Sequence, residues 1–408
     1  MEKITEKPTF IRFTLLFTLL YMISYVTRIN YAAIISEIVS AEGIQKSVAS
    51  AALTASAVTY GCGQLVSGFL GDRTDPKRLI LAGLITTTLT NICLPFCRAG
   101  WQTSVIWGIN GIAQAFMWPP LVKIMTTLFT EDDYKKACAT VSCGSSGGTV
   151  AVYALSPLFI RLFGWKSVFF ISAACAVIMS IVWVRAGRTY SLIQTNAPKS
   201  ADKNGSAHFS FGVAALLAIV MVIIVLQGIL RDGVTTWMPS YISETFHLDN
   251  NTAILTGVIL PLFSIAVCQT VTVINRKLIR NELLLSALWF ALGLAAAVAL
   301  FAENGKYAPL SIFLSAVLTG CMHGVNLVMT CMMPPHFARF GNISFISGLL
   351  NFCTYIGSAF SAVGLAVFSE SYGWGSTLLL WAAVALAGSV LCLALIKVWS
   401  NFKTRNFS

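Results

Sequence analysis

"YMISYVTRINYAAII", residues 21–35, is a run suited to lipid that carries an arginine at its centre. At mid-bilayer a guanidinium costs roughly 3 kcal/mol on insertion scales and several-fold more on an isolated helix, so the surroundings of Arg28 must offset it. Lipid is nevertheless the solvent that the composition demands. Of the 408 residues, 56% are hydrophobic and 11% charged, and the mean hydropathy is +0.77, whereas a water-soluble protein carries about a quarter charged residues. Apolar runs of roughly 18 residues or more can cross about 30 Å of hydrocarbon as a helix. They fall near 10–35, 48–71, 78–97, 103–129, 137–162 and 166–186, and again near 212–242, 253–274, 283–302, 308–333, 342–368 and 373–398. The expectation is an all-α membrane protein of twelve transmembrane helices.

The formal net charge of +11 does not point to nucleic acid, because the basic residues mark one membrane face. Lys3, Lys7, Arg12, Lys77, Arg78, Lys135, Lys136, Arg276, Lys277, Arg280, Lys397 and Lys403 all fall on the side shared by the termini, and only Lys46, Arg98, Arg161, Lys166 and Lys306 on the other. The positive-inside rule then puts both termini in the cytoplasm of a multi-pass protein of the cell inner (plasma) membrane. Membrane lipid and a small anion are the expected partners, and the chain is expected to be a monomer. The eleven cysteines are scattered, without CxxC or Cys/His spacing, and read as small apolar fillers; no metal site and no cofactor is expected. "MEKITEKPTF" mixes charges and leads into a run too long for a signal-peptide core, so no cleaved segment is expected.

Residues 187–210, "GRTYSLIQTNAPKSADKNGSAHFS", are polar without apolar period and read as a cytoplasmic linker between six-helix halves at 1–186 and 211–408. The halves repeat weakly. "WPPLVKIMTTLF" (118–129) answers "MPPHFARFGNISF" (333–345), and "FGWKSVFFISAACAVIM" (163–179) answers "YGWGSTLLLWAAVALAG" (372–388). Arg28 likewise has a counterpart in "IVLQGILRDGVTTWMPSYI" (224–242), where Arg231 sits between apolar flanks. Paired six-helix halves place a ligand site near the midplane, and two guanidinium forks, bidentate and never deprotonated, suit a dianion. The alternative is that the arginines snorkel or are neutralised by acidic neighbours. It is disfavoured because Asp232 is the only carboxylate well inside a span and adjacent helical residues point about 100° apart. Tyr21, Tyr25 and Arg28 share one helix face, as do Tyr60 and Gln64; tyrosine hydroxyls suit phosphate oxygens, although such spacing also serves plain packing.

The loop "GFLGDRTDPKR" (68–78) resembles the motif G-x-x-x-D-R-x-x-x-[KR]-[KR] of the major facilitator superfamily. By that resemblance Gly68 permits close helix approach, and Asp72 with Arg73 forms a conformational latch. The later loop "TVINRKLIR" (272–280) keeps only basic residues. Further motifs, "YMISYVTRINYA", "TYGCGQLVSGFLGDR", "QAFMWPPLVK", "ILRDGVTTWMPSYI" and "YIGSA", resemble the organophosphate:phosphate antiporters of that superfamily. The resemblance implies the major facilitator fold, with Arg28 and Arg231 as paired phosphate ligands and Tyr21, Tyr25, Tyr60, Trp118 and Tyr355 lining the pocket. Where glycerol-3-phosphate carriers have a lysine this chain has Gln64; where they have a histidine it has Ser145, and His323 replaces a tyrosine. These departures weaken the case for glycerol 3-phosphate itself and leave a larger sugar phosphate, or a different organic anion, equally open. The implied function is secondary transport, by alternating access, of a sugar-phosphate or glycerol-phosphate class anion in exchange for inorganic phosphate. The alternatives are a proton-coupled organic anion transporter, for which only Asp232 and more weakly His323 could titrate, and a transporter-like sensor of sugar phosphates. No enzyme motif occurs in a plausible context, so an enzyme is not expected.

Reporter fusions ending after positions 200 and 305 are expected to show opposite sidedness; the same sidedness at both would overturn the topology.

Overall fold

The computed structural model describes residues 3–4, 6–195, 210–247, 259–303, 305–340 and 342–407. Of the expected linker, 187–195 continue the preceding helix and 196–209 lie outside the described residues. Two compact units divide the chain, one made of 1–205 with 341–349 and the other of 206–340 with 350–408. Among the described residues the only strand-like pairing is one bridge between Ile4 and Phe129.

The first unit contains α1 (Lys7–Ala33), α2 (Ile35–Glu42), α3 (Lys46–Arg73), α4 (Pro76–Cys93), α5 (Gly100–Ala115), α6 (Trp118–Leu128), α7 (Glu131–Phe163) and α8 (Lys166–Thr195). Here α1 packs on α7, α3 on α5 and α4 on α8. Local chemistry sets the helix starts. The Asp75 carboxylate accepts from the Lys77 N–H with Pro76 in the first turn. Thr130 accepts from the Asp133 N–H ahead of three acidic residues, which complement the positive end of the helix dipole.

The second unit contains α9 (Phe211–Phe246), α10 (Ile259–Lys277), α11 (Glu282–Glu303) and α12 (Ala308–Leu327), then a widened turn at Val328–Met332 and a tight 3₁₀ stretch at Pro334–Phe340. The last helical segment, α13 (Ile343–Phe407), starts in the first unit and continues in the second, broken by non-helical backbone at Gly373. Here α12 packs against α9, α10 and α11.

Among the described residues, ten helices are long and apolar enough to cross a membrane. Two of the twelve spans read from sequence fall short of that measure. α3 is diluted by Ser, Thr, Gly and Gln, and the run at 103–129 is divided between α5 and α6, which break at Phe116 and Met117 just before Pro119 and Pro120. The weak sequence repeat has a backbone counterpart. Gly164 joins α7 to α8 at φ 78°, ψ 166°, and Gly373, its partner in the repeated Gly-Trp pair, adopts φ 76°, ψ 170°, a region that side chains disfavour.

Gly164→Val and Gly373→Val are each expected to lower the melting temperature of the purified protein, at about 1–3 kcal/mol of strain per site. Unchanged melting at both would contradict that backbone conformation.

Candidate functional site

In the first unit, α1 presents Tyr21, Tyr25 and Arg28 together. The Arg28 guanidinium carbon lies 4.4 Å from the Tyr25 ring centroid and 4.5 Å from that of Tyr60 on α3. Tyr21 packs on Tyr25 at 5.2 Å and on Trp118 at 4.7 Å. Five of the residues singled out from sequence thus form one continuous group, and ring faces hold a guanidinium without cancelling its charge. Ser145 is not part of that group by any hydrogen bond: it donates to the Ser142 carbonyl of its own helix at 2.6 Å. Gln64 is fully buried one turn from Tyr60, and neither its amide oxygen nor its amide nitrogen has a hydrogen-bond partner.

The rotation of α1 is set by a buried polar layer that the sequence reading missed. Asn30 donates to Asn91 on α4 at 2.7 Å and to Ser172 on α8 at 3.1 Å. Asn91 reaches the carbonyls of Thr27 and Thr87, while Asn110 on α5 donates to the Thr27 carbonyl and accepts from Thr87 and Thr90. Gln114 donates to the hydroxyls of Thr27 and Thr87, both at 2.8 Å, and accepts from Ser24 at 2.6 Å. The network holds the Ser24, Thr27 and Asn30 face of α1 against α4, α5 and α8, with Arg28 about 100° round the helix from the centre of that face. Its signal was present as four Asn and Gln residues in otherwise apolar runs.

In the second unit Arg231 is not left to a ligand alone. Its Nε and Nη2 donate to the two Asp232 carboxylate oxygens at 2.7 and 2.8 Å, and the Ser358 hydroxyl on α13 donates to the same carboxylate. This corrects the expectation that adjacent side chains point too far apart to pair: about 100° separates two short side chains, but the long arginine arm folds back across that angle. His323 on α12 is near enough to interact electrostatically with both charges. Tyr355 is half-buried, three residues before Ser358 on α13. Beside this pair, Gln227 donates to the Met322 carbonyl at 3.0 Å, and Asn326 donates to Gln227 and Thr354.

The loop motif has a defined geometry within the first unit. Asp72 accepts from the backbone N–H groups of Ser344 and Phe345 at 3.0 and 2.7 Å, capping the start of α13. Lys123 lies 3.6 Å from the Asp72 carboxylate and donates to the carbonyls of Gly71 and Asp72. A Cβ on Gly68 would lie 2.8 Å from the Ser344 carbonyl oxygen and 2.9 Å from the Phe345 Cα, so only glycine allows this approach. Arg73 does not join Asp72 through any described ion pair; its guanidinium covers the Phe69 ring at 3.7 Å. A further group escaped the sequence reading because Glu282 sits at the border of an apolar run. Its fully buried carboxylate accepts from Trp399 at 2.8 Å and Lys403 at 2.9 Å and lies 3.0 Å from His336 Nε2.

The sequence profile of the Major Facilitator Superfamily matches residues 17–362. The chain is 28% identical over 246 residues to a glycerol-3-phosphate transporter of Bacillus subtilis, covering 54% of each protein. It is 25% identical over 164 residues to a probable hexose phosphate transport protein of Chlamydia muridarum, covering 40% of this chain and 36% of that protein. The matched regions therefore span between about a third and about a half of these relatives. Among solved structures, the proton:xylose symporter XylE superposes with a TM-score of 0.69 at 12% identity, over 95% of this chain and 96% of that one, a likeness of fold alone.

Two buried amides are expected to respond oppositely to leucine. Asn110→Leu strands the hydroxyls and carbonyl it serves and should destabilise by about 1–3 kcal/mol. Gln64→Leu removes polar atoms that have no partner and should be neutral or stabilising. Melting temperatures of the purified variants test this, and equal losses would refute the contrast.

Proposed function

Because the chain belongs to the Major Facilitator Superfamily, we propose that it is a secondary active transporter of a phosphorylated organic anion of the sugar-phosphate or glycerol-phosphate class, working by alternating access in exchange for inorganic phosphate. The reading as a multi-pass membrane transporter and not an enzyme is supported by the family and by the transporter relatives. The anion and the exchange are our reading, and the observation that carries them is Arg28 held on the faces of Tyr25 and Tyr60 beside Tyr21 and Trp118. Such a cradle keeps a positive fork in an apolar helix and offers hydroxyls of suitable length for phosphate oxygens. In this reading Arg231 provides the second fork, and each half contributes one. The relatives named for glycerol 3-phosphate and hexose phosphate support the same class.

Gln64 and Ser145 stand where the resemblance puts a lysine and a histidine. Neither adds a charge, and Ser145 spends its hydroxyl on its own helix. The pocket of this reading therefore holds fewer cations than that of a glycerol-3-phosphate carrier and favours the bulkier sugar phosphates. Asp72 and Gly68, clasping the start of α13, would serve as the latch that opens and closes once per cycle.

The direct test loads proteoliposomes with inorganic phosphate and measures exchange of labelled phosphate against a panel of sugar phosphates; no exchange with any member would reject the reading. Arg28→Lys and Arg231→Lys are each expected to reduce exchange by at least about tenfold, the scale of losing one charge-assisted hydrogen bond, with folded protein still in the membrane. Near-normal exchange in either would rule out a paired-fork site.

A further inference from the structure

Arg231 and Asp232 form a bidentate pair inside a membrane span, with the Ser358 hydroxyl donating to the carboxylate and His323 within electrostatic reach of both. Arg231, His323 and Ser358 come from α9, α12 and α13, the described elements that bring charged, titratable or hydrogen-bonding groups to Asp232. The carboxylate occupies the fork as a substrate's carboxylate or phosphate would, with two parallel N–H···O bonds.

We infer that Asp232 is a resident stand-in for the transported anion: the incoming anion displaces it from Arg231, and the displaced carboxylate takes up a proton from water. The inference rests on the reading of Arg231 as an anion ligand. Charge balance carries the argument. With the fork empty of substrate, the pair is neutral and both partners are satisfied. When a phosphate takes the fork, Asp232 loses its cation while its side chain stays only 29% exposed within the span, and an unpaired carboxylate so placed is disfavoured. Ser358 supplies one hydrogen bond but no charge, and His323 is the only other titratable group described beside it. The least costly outcome is the neutral acid: an O–H bond forms on Asp232 as one O–H bond of a hydronium ion in the surrounding water breaks to leave neutral water, and no electrons move.

The consequence reaches beyond exchange. An arginine without a counter-ion would hold an unloaded carrier in place, because a buried bare charge opposes movement through lipid. With Arg231 closed by its own carboxylate and Arg28 held on the Tyr25 and Tyr60 rings, each guanidinium of the unloaded carrier keeps a partner within the protein, which lowers the barrier to empty return. Binding of the anion with a proton, followed by empty return, is net proton-linked uptake, so the same site supports both phosphate exchange and accumulation driven by a pH gradient.

The test uses the full chain, purified, with inorganic phosphate as the probe. Calorimetric titration in two buffers of different ionisation enthalpy reports protons taken up on binding. Wild type is expected to take up a proton with each phosphate. Asp232→Asn should bind phosphate without proton uptake, and roughly tenfold more tightly because the internal competitor has lost its charge, an effect within the usual range of coupling between ligands. Asp232→Glu, which keeps a titratable carboxylate, should retain proton uptake. In proteoliposomes, a pH gradient acid on the side of entry should drive phosphate accumulation by wild type and not by Asp232→Asn. Phosphate binding by wild type without proton uptake, or equal gradient-driven accumulation in Asp232→Asn, overturns this inference alone. No binding of phosphate by folded wild type overturns it together with the reading on which it rests.

Discussion

Every charged group held in an apolar span must be given a partner within the protein, and the organisation of both units follows from how that constraint is met. Hydrocarbon offers neither hydrogen bonds nor dielectric screening, so an unpaired ion there costs several kcal/mol. The protein meets the constraint differently at each position. Arg28 lies on two tyrosine faces, whose ring quadrupoles attract the cation. Arg231 is closed by the carboxylate next to it in sequence. Glu282 is enclosed by an indole N–H, a lysine and a histidine. Each solution recruits residues from neighbouring helices, so that satisfying the charge also ties those helices together.

The same constraint explains how much could be read from the chain. Span positions, the two arginines and the loop motif are legible because their signals lie in composition and short spacing. The aromatic group around Arg28 is legible in part, since Tyr21, Tyr25 and Arg28 lie on one helix face by period alone, as Tyr60 and Gln64 do on another, and the resemblance adds Trp118. The Arg231–Asp232 pair was misjudged because helix period describes where Cβ atoms point and says little about the reach of a four-bond side chain ending in a fork. The amide network was invisible for another reason. Asn30, Asn91, Asn110 and Gln114 come from three helices, and only the folded unit reveals that their donors and acceptors match. Gln64 is the reverse case: a residue read as polar lining for a ligand is buried without any hydrogen-bond partner.

Duplication accounts for some of these features but not for the difference in charge. The paired glycines before Trp165 and Trp374 keep one backbone conformation, and both proline pairs follow a break in a helix. Backbone geometry of this kind is dictated by glycine and proline and persists as long as those residues do. Side-chain electrostatics is free to diverge. In the first repeat the position after the arginine is Ile29, in the second it is Asp232, and with that difference the first guanidinium lies on ring faces while the second is closed by the adjacent carboxylate.

The polar contacts also differ in what breaking them requires. The amide layer joins four helices with neutral groups that are fully partnered, so no member can change partners without moving a helix; such networks rigidify. The Asp72 cap joins α3 to the first turn of α13 through backbone N–H groups. Those donors are fixed to the helix, so the cap can be undone only by displacing α13 from α3. The Arg231–Asp232 pair spans a single peptide unit. Its two side chains can part by rotation about their own bonds, with every helix in place. A ligand can therefore exchange with Asp232 before any large movement begins, whereas release of the cap must coincide with such movement. Rigid layer, exchangeable pair and releasable cap are three responses to one physical demand, distinguished by how much backbone each contact binds.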